Sequence, residues 1–98
     1  MIKTIIVDDE PRGINTIKKI LELYCTDVQL IETCTDANSA KEKILQLEPD
    51  LVFLDIAMPG KTSLTMLSEM KNISFQIIFV TAHNEYSLQA FKYSAVDY

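Results

Sequence analysis

The chain has 98 residues, 48% hydrophobic and 23% charged, a composition suited to one ordinary globular domain spanning 1–98. Its net charge of −5 comes without a basic cluster, which argues against this segment gripping a phosphate backbone itself. Cys25 and Cys34 form no Cys-x-x-Cys pair and have no His-rich neighbourhood, so zinc and dithiol chemistry are set aside for two reduced thiols in a cytoplasmic protein; the apolar residues before Asp8 are too few for a signal peptide or membrane span.

Thr4-Ile5-Ile6-Val7 is apolar and β-branched, and Asp8-Asp9-Glu10-Pro11 stops it, predicting a buried first strand and an acidic loop. Pro11 suits a first helical turn, and Ile14, Ile17, Leu21 and Tyr24 form one apolar stripe, so the first helix is expected from Pro11 to Tyr24. Val28 to Cys34 reads as a strand, with Glu32 placing it toward a sheet edge. Asp36 or Asn38 can cap a second helix whose buried face is Ala40, Ile44 and Leu47 and which Pro49 ends. The unbroken run Leu51-Val52-Phe53-Leu54 then meets Asp55 and a Pro59-Gly60 loop, as a strand covered on both faces would.

Leu64, Leu67 and Met70 predict a short third helix ending near Asn72, with methionine as core filler. Gln76 to Thr81 is a fourth buried strand, Glu85 to Tyr93 a weaker helix, and Ala95 to Tyr98 the start of something extended. Strands alternating with helices at this spacing imply a doubly wound α/β fold, a parallel sheet with right-handed crossovers.

In open α/β sheets ligands sit outside the carboxyl ends of the strands, where the order of strands reverses. If the first and third strands are neighbours, Asp8, Asp9 and Asp55 converge there. Any one of them alone could be a turn-forming Asp. Together they make three mutually repelling carboxylates, which call for a divalent cation with oxygen ligands, magnesium being the natural candidate. Asp55 is the best nucleophile for an incoming phosphoryl group, and the Thr81 hydroxyl is placed to donate to that group once attached.

With Asp8-Asp9 after the first strand, Leu54-Asp55-Ile56-Ala57-Met58-Pro59-Gly60 after the third and Thr81-Ala82 after the fourth, the chain resembles the receiver domain of bacterial two-component response regulators. The resemblance covers nearly the whole chain. It implies strand order 2-1-3-4-5, Asp55 as acceptor of a phosphoryl group from a histidine kinase, magnesium held by Asp8, Asp9, Asp55 and the Ala57 carbonyl, and Thr81 as switch hydroxyl. Such a domain is a signalling switch and not an enzyme beyond its own phosphoryl transfer and hydrolysis. Thr81 to Phe91 looks most like receivers joined to LytTR-type DNA-binding domains, so DNA would be met only through an output domain outside this chain.

Two departures stand out. Ser63 occupies a position where many receivers have glycine, and the family's lysine would fall beyond Tyr98, leaving the end of strand five and helix five outside the chain. Lys61 is read as a solvated loop residue and not as its substitute. An incomplete fifth strand would leave the fourth as an apolar edge, and an absent helix would uncover the sheet near Phe53 and Phe79, so self-association is expected.

A nucleotide binder of the same fold would need a Gly-rich phosphate loop, and Asp8-Asp9-Glu10 would repel that phosphate. An aspartyl-phosphate phosphatase would want a second acid two residues beyond Asp55, where Ala57 stands. His83, the only histidine, is read as a loop residue, and Tyr86 and Tyr93 as packing residues. A non-phosphorylated interaction module of the same fold is the remaining alternative.

Overall fold

The computed structural model describes residues 1–55, 63–70 and 73–80, and the backbone of 95–97. Five strands, β1 (Ile2–Val7), β2 (Val28–Cys34), β3 (Leu51–Asp55), β4 (Gln76–Val80) and β5 (Ala95–Asp97), form one parallel sheet in the order β2-β1-β3-β4-β5. The described helices are α1 (Pro11–Tyr24), α2 (Ala37–Leu47) and α3 (Ser63–Glu69). The order reverses between β1 and β3, and this is the crevice in which such folds place ligands.

Side chains alternate across a strand, so register decides which face each residue serves. Val52 faces Ile77 and Leu54 faces Phe79 along the β3–β4 ladder, and all four join Ile5 and Val7 on one face. That face is closed by Ala40 and Ile44 of α2 and by Leu64, Met66 and Leu67 of α3. Met66 and Phe79, 0% and 1% exposed, are filled core positions, each stabilising by about 1.5 to 3 kcal/mol through burial. The opposite face carries a smaller cluster of Ile6 with Ile14 and Leu21 of α1, and Phe53 and Leu30 are only half-buried there.

Local chemistry sets the helix ends. Pro11 opens α1, where its missing N–H costs nothing. Asp36, not Asn38, caps α2: one carboxylate oxygen accepts the Ser39 amide at 2.7 Å and the other its hydroxyl at 3.0 Å. These bonds hold the Asp36 carboxyl below the usual carboxylate range. At the other end Glu48 takes the left-handed conformation, φ 48°, and its amide donates to the Ile44 carbonyl before Pro49 turns the chain.

Several expectations need correction. Tyr24, counted in the α1 stripe, is 79% exposed, and Cys25, four residues beyond Leu21, packs on that cluster instead. β1 begins at Ile2, two residues before the expected start at Thr4, since pairing with Val28 extends it. Helix α3 ends at Glu69, where the Met70 amide bonds back to Leu67 and tightens the last turn. β4 is not the sheet edge: β5 pairs with it at Ile77 and Ile78, removing the template for edge association over those residues. Phe79 is not near an uncovered face either, because register places it on the α2 and α3 side, opposite Phe53. The expected helix over 85–93 lies outside the described residues.

Candidate functional site

Two neighbouring ladders bring the acids together. Val7 is level with Leu54 in the β1–β3 pairing, so the residues that follow them, Asp8 and Asp55, leave adjacent strands side by side at the carboxyl edge. One oxygen from each of Asp8, Asp9 and Asp55 lies within 4.8 Å of the others. Asp8 is 7% exposed, while Asp9 and Asp55 are half-buried.

Asp8 and Asp55 are held by their backbones or by near neighbours. The Asp8 amide donates to the Cys34 carbonyl at 3.0 Å, tying the end of β1 to the end of β2. One oxygen of the Asp8 carboxylate accepts the Glu10 amide at 2.9 Å and turns the acidic loop into α1. Gly13 lies so close that a Cβ built on it would sit 1.9 Å from the other Asp8 oxygen, so the first turn of α1 leaves this carboxylate its space. The Asp55 carbonyl accepts the hydroxyl of Ser63 at the start of α3. Neither Gly13 nor the Ser63 bond was among the sequence expectations. A glycine inside the α1 pattern was the available signal for the first, and a contact across eight residues leaves no periodic trace of the second.

Beside the acids, Cys34 is buried, and burial, with Glu32 and Asp36 adding to it, pushes its thiol up to about 11. Among the described residues Lys41 pairs with Glu69 at 3.6 Å and Lys43 with Glu32 at 3.7 Å, both away from the acids. Three carboxylate oxygens converging at one strand edge form a hard, all-oxygen donor set of charge −3, which fits a divalent cation such as magnesium. Thr81 and Ala57, the expected switch hydroxyl and carbonyl ligand, lie outside the described residues, as do Lys61 and His83. The last described pair of the β3–β4 ladder is Asp55 with Val80, the residue just before Thr81.

Comparison with known proteins agrees with this geometry. The sensory transduction protein LytT of Bacillus cereus is 38% identical over 101 residues, a match covering 100% of this chain and 40% of LytT. The transcriptional regulatory protein BtsR of Escherichia coli K12 is 35% identical over 99 residues, covering 100% of this chain and 41% of BtsR. The chain thus spans about 40% of the length of these relatives. Among solved structures, the response regulator domain of Thermotoga maritima CheB superposes with a TM-score of 0.85 at 26% identity, covering 99% of this chain and 75% of that one. The family model for the response regulator receiver domain matches residues 4–98, and the chain therefore belongs to the receiver domain family of two-component response regulators.

Proposed function

We propose that this domain is a phosphorylation-dependent switch in which Asp55 accepts a phosphoryl group from a histidine kinase. The observation that carries the reading is the convergence of Asp8, Asp9 and Asp55 within 4.8 Å at the carboxyl edge of β1 and β3. An Asp55 oxygen attacks phosphorus, and the bond from phosphorus to the kinase imidazole breaks with its electron pair left on the ring nitrogen. Attack of water on the resulting acyl phosphate returns the carboxylate and releases inorganic phosphate.

Asp8, Asp9, Asp55 and the Ala57 carbonyl would hold magnesium. When bound, it offsets the repulsion between the carboxylate and the incoming phosphoryl oxygens. By the family resemblance, Asp9 would contact it directly and Asp8 mostly through water. Thr81 donates its hydroxyl to the attached phosphoryl group and so reports phosphorylation to the surface. The readout is an output domain outside this chain, of the LytTR DNA-binding type, in a cytoplasmic regulator. No helix among the described residues is long and apolar enough to cross a membrane.

Incubation with acetyl phosphate and magnesium, followed by intact mass, tests the assignment. The parent gains one phosphoryl mass and Asp55→Asn gains none. Labelling that survives in Asp55→Asn overturns it, and a parent that neither labels nor binds magnesium is an interaction module of the same fold.

A further inference from the structure

Ser63 is 0% exposed, and its hydroxyl donates to the backbone carbonyl of Asp55. A buried hydroxyl requires a partner, and this partner ends β3. The ladder from β3 to β1 stops at Leu54, opposite Val7, whereas the ladder to β4 runs one residue further, to Asp55. The Ser63 bond adds a tie from α3, whose next residues Leu64, Met66 and Leu67 are packed into the larger core.

We infer that Ser63 is a positioning residue for the phosphoacceptor: its hydroxyl clamps the last peptide of β3 to core-anchored α3 and so holds the Asp55 carboxylate beside Asp8 and Asp9. This inference rests on Asp55 being the acceptor. Effective attack needs the reacting oxygen held near its productive position, and small displacements of a nucleophile are costly in rate. Glycine at this position supplies backbone freedom but no donor.

Ser63→Ala removes the hydroxyl and keeps the Cβ. At saturating magnesium, and well below the unfolding midpoint, labelling of Asp55 by acetyl phosphate is expected to slow about five- to tenfold, the factor carried by one net hydrogen bond. The carbonyl carbon of Asp55 should shift in the NMR spectrum of the same variant. Ser63→Gly, which leaves no side chain to misfit, should slow equally and serves if the alanine variant fails to fold. Parental rates in the folded variants, or a lowered midpoint with a parental rate, would leave Ser63 a purely structural residue and overturn the inference. Labelling that survives Asp55→Asn marks a failure of the acceptor assignment instead, whatever the Ser63 rates are.

Discussion

The two ends of β3 each carry an aspartate, and the two are used in opposite ways. At the amino end Asp50 is stitched into the backbone: its carboxylate accepts the Lys3 amide at 2.9 Å, its amide donates to the Lys3 carbonyl at 2.8 Å, and its carbonyl accepts the Gln76 amide at 2.9 Å. It joins the starts of β1, β3 and β4. At the carboxyl end Asp55 is pooled with two further carboxylates. The same side chain is a fastener where amides surround it and, on the function proposed above, a reagent where acids do. The amino end should therefore be rich in stability and poor in chemistry, and the carboxyl end the reverse.

The strongest way to break this contrast is Asp55→Asn, which should abolish phosphoryl labelling while leaving the unfolding midpoint at or above the parental value, because a repelling charge is gone. A large loss of stability in that variant would place Asp55 among the fasteners. The cysteines sharpen the contrast next. Cys34 lies at the carboxyl end of β2, with its thiol raised from 9.0 to about 11, so at neutral pH it should alkylate roughly a hundredfold more slowly than an unshifted thiol. Time-resolved mass spectrometry with iodoacetamide should show Cys25 modified first. Because the folded value is the raised one, this thiol's contribution to stability is complete below pH 9 and is lost as pH rises through about 11.

Asp9→Ala follows, with magnesium affinity expected to fall about tenfold or more, as loss of a metal-site residue does. Calorimetric titration checks this, and parental affinity would reduce the acids to a solvated loop. At the opposite end, Asp50→Ala should cost about 1 kcal/mol, the worth of one exposed charge-assisted bond, with labelling of Asp55 unchanged. Denaturant melts alongside a labelling assay decide it. The smallest effect belongs to Asp36→Ala, a lost helix cap lowering the midpoint by a few degrees. Since the folded Asp36 value is depressed, that contribution is present above the ordinary carboxylate range and disappears as pH falls through the lowered value; a pH series of melts on parent and variant tests the sign.

Much of this was legible in the residues themselves. Pro11, Asp36 and Pro49 punctuate the chain by chemistry that acts within a few residues, and α1 and β2 keep the bounds read from them. The convergence of Asp8 and Asp55 was legible because each directly follows an apolar strand, and one assumption about neighbouring strands sufficed to join them. What needed coordinates was everything set by register or by contact across the fold. The face that Phe79 serves depends on its pairing with Leu54, and the exposure of Tyr24 depends on which side of α1 meets the sheet. The space kept for Asp8 by Gly13 and the Ser63 bond to Asp55 are single tertiary contacts, which no periodicity announces.

Glu48 has a different lesson, about how far this sequence sits from its own optimum. It is the only non-glycine residue with positive φ among the described residues, at 48°, where a Cβ is crowded by the following carbonyl at a cost of roughly 1 to 2 kcal/mol. The position closes α2, and its amide bonds to Ile44 whatever side chain it carries. Asparagine tolerates this conformation better than glutamate does, without the added unfolded-state entropy of glycine. The chain thus holds unused stability at a corner remote from its acids, a margin from which a sturdier variant could be bred without touching the switch.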